Sequence, residues 1–103
     1  MIAVQVTYQI NAEFVEENKR NIAAFLADFR ELQHSKFLYH VYVKEDGLTF
    51  VHVSMYENEE IQQQILNTPS FLAFQQHRDE RGLTAPAVIE PMEHLGSSLR
   101  IIK

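Results

Sequence analysis

A chain of 103 residues has room for one domain with a modest core. Its formal charge of −5 speaks against non-specific nucleic-acid binding and against docking on an anionic membrane, both of which need a basic surface. It has no cysteine, which excludes disulfides, thiolate catalysis and sulfur-ligated zinc; a cytoplasmic location is expected, and no apolar run reaches the length of a membrane span.

Ile2, Val4, Val6, Tyr8 and Ile10 alternate with Ala3, Gln5, Thr7 and Gln9. This two-residue period predicts a half-buried strand rather than a signal peptide. Asn11 then stands where it can cap a helix, and Glu13, Glu16 and Glu17 favour the positive end of the helix dipole. Val15, Ile22, Phe25, Leu26, Phe29 and Leu32 recur at helical spacing, and the pattern fades over residues 33–35. Phe37 to Lys44 and Leu48 to Tyr56 read as two strands joined by Glu45-Asp46-Gly47, and Asp-Gly is a hairpin signal.

Asn58 caps the next helix, with Glu59 and Glu60 in its first turn and Ile61, Ile65 and Leu66 on its buried side. The helix stops and restarts at Thr68-Pro69. The threonine hydroxyl is suited to capping the restart, and proline suits the first helical position, where an N–H would be unpaired anyway. Phe71, Leu72 and Phe74 are the buried set of the restarted helix, and Gly82 is its expected stop. Ala87 to Ser98 reads as a fourth strand, placed at an edge or bulged because Pro91 cannot donate to a ladder. Arg100 to Lys103 form a short tail suited to docking on a partner subunit.

The order βαββαβ predicts one α+β domain over residues 1–103 on the ferredoxin-like plan. Its four-stranded antiparallel sheet has strand order 4-1-3-2, with two helices on one face. The middle strands are apolar on both faces. Phe37, Tyr39, Val41 and Val43 point one way, with Leu38 and Tyr42 the other; Val51, Val53 and Met55 alternate with Leu48, Phe50 and Tyr56. Helices can cover only one face, so a second copy is expected over the other, closing a homodimeric α/β barrel.

Strand register decides which polar groups meet. If Asp46-Gly47 forms a two-residue turn, Tyr39 opposes Ser54, Val41 opposes His52 and Phe37 opposes Tyr56. Tyr39, His52, Ser54 and Tyr56 then share one face. A histidine among hydroxyls can accept a proton while the tyrosines orient an aromatic or quinol-like substrate; the alternative is an inert core histidine bonded to a tyrosine. A bulged turn would instead set His40 against His52, the start of a metal site with no third ligand, so no metal is expected. His34, His77, Arg78 and Arg81 read as solvent-facing groups near helix ends, the last three alternatively as the rim of an anion pocket.

Two further patterns bear on function. Tyr56-Glu57-Asn58 closes the third strand, and Leu66-Asn67-Thr68-Pro69-Ser70-Phe71-Leu72-Ala73-Phe74 follows on the next helix. With Tyr39 early in the second strand and Leu95-Gly96-Ser97 near the end, the chain resembles the antibiotic biosynthesis monooxygenase family of small dimeric α+β barrels. Members of that family carry an aromatic-Glu-Ser/Asp signature and a Leu-x-Thr-Pro-His-Phe/Met-x-Ala-Tyr/Phe pattern. The chain departs from them at Tyr56, where Trp is frequent, at Ser70, where His often follows Thr-Pro, and at Ile65, where many relatives place His or Trp. The haem-degrading branch of the fold is not matched, since Val6 or Thr7 stands for its strand-one Asn.

The resemblance implies a cofactor-independent monooxygenase acting on an aromatic or quinol-type small molecule that itself passes an electron to dioxygen. Within that reading the shared strand face makes His52 the expected base and Tyr39 and Tyr56 the expected orienting groups, with Ser54, Ile65, Phe71 and Phe74 expected around the substrate. Two other readings keep the fold: an oxygen-independent isomerase, and a non-catalytic small-molecule-binding dimer, which the missing Trp and His favour.

Overall fold

A computed structural model of the chain describes residues 1–32 and 36–98. The helix end expected at 33–35, His34 and the tail at 100–103 lie outside the described residues. Strand β1 (Ile2–Gln9) leads through a 3-10 turn (Ala12–Phe14) into helix α1 (Val15–Leu32). Strands β2 (Phe37–Val43) and β3 (Thr49–Tyr56) form the hairpin, followed by α2 (Glu59–Leu66), α3 (Pro69–His77), a single π-turn (Arg78–Gly82) and β4 (Val88–Met92). The strands pair antiparallel in the order β2-β3-β1-β4, which is the expected order read from the other edge.

The caps follow from side-chain chemistry. Asn11 Oδ1 accepts from the Phe14 N–H at 3.0 Å, and Asn58 Oδ1 accepts from the Ile61 N–H at 2.9 Å. Each satisfies a donor that a helix start leaves unpaired. The expected Thr68 cap is corrected: its hydroxyl makes no cap bond. Its carbonyl instead accepts from the N–H groups of Phe71 and Leu72, while Pro69 at the first position removes one donor altogether.

Gly82 does end the helical segment, as expected, but without the left-handed conformation of a glycine cap, which among the glycines Gly47 alone adopts. Gly82 is needed for space: a Cβ there would lie 2.5 Å from Cδ2 of the buried Phe14 ring. The last strand is corrected: it ends at Met92 rather than running on to Ser98. Met92 pairs with Ala3, and β1 begins at Ile2, so a longer β4 would have almost no partner left.

The hairpin keeps the register of a two-residue turn while using a longer connection. Lys44 pairs with Thr49 around a four-residue loop in which Gly47 adopts φ 72°. Asp46 Oδ1 accepts from the N–H groups of Leu48 and Thr49 at 2.8 Å each, which holds the loop closed. Tyr39 consequently opposes Ser54, Val41 opposes His52, and His40 faces Val53 rather than His52.

All helices contribute to one core against one sheet face. Ile22, Phe25 and Phe29 of α1, Ile65 of α2 and Phe71 and Phe74 of α3 meet Tyr8, Phe50 and Tyr56 of the sheet. The Phe25 ring lies 5.0 Å from both Phe71 and Phe74 in edge-on contacts, each adding about 0.5–1.5 kcal/mol beyond area burial. The other sheet face carries Leu38, Met55 and Met92 in one row and Tyr42, Val51 and Val88 in another, with Val53 between them beside His40 and Gln5. No helix among the described residues is long and apolar enough to cross a membrane.

Substituting Gly82→Ala forces the Phe14 ring to move and should lower unfolding free energy in urea by about 1–3 kcal/mol. Gly96→Ala, where an added Cβ meets nothing within 4 Å, should leave the urea midpoint unchanged.

Candidate active site

The sheet pleat places Phe50, His52, Ser54 and Tyr56 of β3 on the helix-covered face. Register then sets Tyr39 of β2 and Tyr8 of β1 diagonally on either side of His52, the first beside Ser54 and the second beside Phe50. Both tyrosines reach the ring: Tyr39 Oη lies 2.8 Å from His52 Nδ1, and Tyr8 Oη lies 2.8 Å from His52 Nε2. From α1, Asn18 Nδ2 donates to Tyr8 Oη at 3.1 Å. The His52 ring stacks on Phe74 at 5.4 Å. The Arg78 guanidinium sits 4.9 Å from the Tyr8 ring centroid and 5.2 Å from that of Phe74, and its Nε donates to Asp79 at 3.0 Å.

Burial sets the charge state of this chain. His52 is only 2% exposed, and loss of water opposes the imidazolium; the Arg78 charge opposes it further, and the pKa is pushed down to about 3. Burial pushes Tyr8 up to about 12, against the opposing effects of the Asn18 hydrogen bond and Arg78. Tyr39 is raised further, by burial first and then by the neighbouring Tyr56 and Tyr8. Burial also raises Tyr56, partly offset by a hydrogen bond with Ser54. At neutral pH the histidine and all three phenols are therefore uncharged, and the nearby charge is Arg78. One atom of the chain is orphaned: Asn18 Oδ1 is buried and has no hydrogen-bond partner among the described residues.

A cavity of about 400 Å³ opens between this sheet face and the α2–α3 segment. Val4, Val6, Leu66, Phe71 and Ile89 contribute apolar walls, and Tyr39, Ser54, Tyr56, Gln62 and Gln75 contribute polar groups. Its size suits a small aromatic molecule. Among the described residues no acidic side chain lines it.

The residues singled out from sequence divide into two layers. Tyr39, Ser54, Tyr56 and Phe71 line the cavity. His52 does not; it stands behind Tyr39 with both ring nitrogens bonded. Phe74 packs against His52, and Ile65 is fully enclosed in the core. Sequence reading missed Tyr8, Asn18, Gln62 and Gln75. It also took Arg78 for a solvent-facing or rim group, although it is 8% exposed. Two signals were present. Asn18 continues the stripe Val15, Ile22, Phe25, Phe29, and Arg78 continues Phe71, Phe74, so both fall on core faces at helical spacing.

Arg81 instead pairs with Glu17 on the surface, and His77 Nδ1 lies 3.9 Å from the same carboxylate. No three potential metal-ligating side chains converge among the described residues.

Comparison with known proteins agrees with this architecture. The family model described as antibiotic biosynthesis monooxygenase matches residues 1–77, a span that includes every polar group of the cavity. Among solved structures, one described as an antibiotic biosynthesis monooxygenase superposes with a TM-score of 0.78 at 14% identity, covering 93% of this chain and 100% of its own. Rv0793 from Mycobacterium tuberculosis gives 0.78 at 17% identity, with 95% and 98% covered. PA3566 from Pseudomonas aeruginosa gives 0.74 at 18%, with 92% and 94% covered. At such identities the likeness is one of fold. No curated protein matches the chain in sequence.

The buried neutral histidine has a consequence for stability. Unfolded, it titrates near 6.5; folded, near 3. Between those values the unfolded chain binds the extra proton, so stability rises with pH through the window and is lost as pH falls, by at most about 1.4 kcal/mol per unit. In His52→Gln this contribution disappears. Urea titrations at pH 7 and pH 5 should show wild type losing about 2 kcal/mol more than the variant on acidification. Equal losses would mean that His52 ionises within the fold.

Proposed function

Because this chain belongs to the antibiotic biosynthesis monooxygenase family, we propose that it is a monooxygenase for a small aromatic or quinol-type molecule held in the cavity beside Tyr39. The observation that carries this reading is a largely apolar cavity lined on its polar side by Tyr39, Ser54, Tyr56, Gln62 and Gln75, with an enclosed histidine behind Tyr39. Such a wall grips a flat ring and orients a ring oxygen, and the apolar remainder keeps water from the reacting atoms.

The reaction balances with the substrate as the only reductant. Oxidising an activated ring CH₂ to C=O releases four electrons. Dioxygen accepts all four, leaving one oxygen in the carbonyl and the other in water. An electron-rich, ionisable substrate can start this by passing one electron to dioxygen, so the reaction as written needs no prosthetic group. Tyr39 and Tyr56 are the groups placed to touch the substrate, and Ser54 and Phe71 shape its site. His52 reaches it only through the Tyr39 hydroxyl. That enclosure equally favours a second reading, in which the cavity binds its ligand without turnover.

The working unit in this proposal is a homodimer. The uncovered sheet face carries apolar side chains on β2, β3 and β4 on either side of a row holding His40 and Glu90, with Tyr42 54% and Val88 55% exposed, more than isolated surface residues require. A two-fold copy stacked on it completes the barrel.

Oxygen uptake against a panel of quinols and polyphenols tests the catalytic proposal. Wild type should consume one dioxygen per substrate, and Tyr39→Phe should lower kcat by about 100-fold, the scale for losing one positioned donor. Undiminished uptake in Tyr39→Phe would remove that residue from the chemistry, and no uptake with any substrate would favour binding without turnover. For the assembly, Val53→Glu buries a charge in the proposed interface and should convert a dimer to a monomer in sedimentation velocity.

A further inference from the structure

We infer that Asn18 and Arg78 fix the direction of the hydrogen-bond chain Asn18–Tyr8–His52–Tyr39, so that Tyr39 presents its O–H to the cavity and the cavity binds phenols and enols in their ionised form. This rests on the placement of the substrate beside Tyr39 proposed above.

The direction follows link by link. Asn18 is fully buried, and its Nδ2 can only donate, so the Tyr8 oxygen accepts. The proton of Tyr8 then needs an acceptor, and among the described residues the one within reach is His52 Nε2. Neutral His52 carries a single N–H, which therefore sits on Nδ1 and donates to the Tyr39 oxygen. Tyr39 is left with its own proton free, and Tyr39 lines the cavity.

Arg78 favours the same direction independently. Its charge lies over the Tyr8 ring, at the end of the chain remote from Tyr39. A fixed positive charge at one end drives the protons of the chain towards the other.

A ligand oxygen thus meets a donor already polarised by the N–H behind it. Hydrogen bonds to an anionic oxygen are roughly twice as strong as those to a neutral one. Among the described residues no carboxylate lines the cavity to oppose a negative ligand. A phenol or enol should therefore give up its proton to water on binding. The resulting anion is the electron-rich species that dioxygen chemistry requires, and no protein base has to remove the proton. Asn18, Tyr8 and His52 are positioning residues in this scheme, and Tyr39 is the contact.

The orientation of the Asn18 amide, whose Oδ1 is buried and unpartnered among the described residues, sets the direction of the hydrogen-bond chain. Turned over, the amide would accept from Tyr8, and every link would reverse.

Nitrogen-15 NMR of His52 in the ligand-free protein reads the direction without any turnover. The Nδ1–H tautomer is expected, and Nε2–H would overturn the proposal. Asn18→Asp, whose carboxylate accepts from Tyr8, should switch His52 to Nε2–H. If that variant does not fold, the wild-type tautomer and Asn18→Leu still decide. The ionisation claim is tested with 4-nitrophenol, whose phenolate is coloured. Saturating protein should lower its apparent pKa by about one unit, a tenfold preference for the anion. Tyr39→Phe should abolish the shift, and Asn18→Leu should reduce it. An unshifted titration overturns the inference. A shift without oxygen uptake would instead overturn the monooxygenase reading and leave this one standing.

Discussion

The enclosure of His52 between Tyr8 and Tyr39 is the constraint on which the rest of the site depends. An imidazole in water is half-protonated near neutrality, but here the solvent that would stabilise its charge is gone. Both ring nitrogens must then be satisfied by neighbours, and a single N–H makes them unequal: one donates, the other accepts. The two phenols meet that requirement because each can play either part, and burial keeps both protonated. A charged chain would have needed a counter-ion inside an apolar core. An uncharged one needs only correct geometry, which three neighbouring strands supply.

That geometry also explains the broken helix. The break at Asn67-Thr68 redirects the chain between two short helices, and both helices reach the cavity. Gln62 and Leu66 of α2 face the cavity, while Phe74 of α3 stacks on the histidine and Phe71 serves both the cavity and the core. Further on, the π-turn follows directly from α3 and begins at Arg78, whose guanidinium lies over Tyr8 and Phe74. Such turns recur where a side chain must be aimed. Gly82 ends it where only a hydrogen fits against Phe14, and Asn11 ties the same corner to the carbonyls of Arg81 and Gly82.

Departures from the family pattern become intelligible in this arrangement. Ser70 stands where relatives often carry histidine, and here it donates to Asp28 on α1 at 2.6 Å, a helix-to-helix contact remote from the cavity lining. Ile65 stands where many relatives place His or Trp, and it is fully enclosed in the core. The polar work of the cavity falls instead to strand residues, Tyr39, Ser54 and Tyr56, with two glutamines from the helices. A site built on strands is held by the ladder, so its tyrosines are placed as firmly as the sheet itself.

What the chain alone determined was the side of each element. Period-two alternation placed His52, Ser54 and Tyr56 on one face of β3, and Asp46-Gly47 marked a hairpin with two registers open; the structure takes the one that sets Tyr39 beside Ser54 on that same face. What only the tertiary structure decided was depth. Whether His52 touches the cavity or stands behind Tyr39 depends on how far α3 closes over the sheet. Whether Tyr8 reaches His52, 44 positions further along the chain, depends on the pairing of β1 with β3. Asn18 and Arg78 lay on legible apolar stripes, yet a polar residue on such a stripe is tolerated only when a partner waits across the core. That partner, the Tyr8 ring and hydroxyl, comes from an element no local pattern could name.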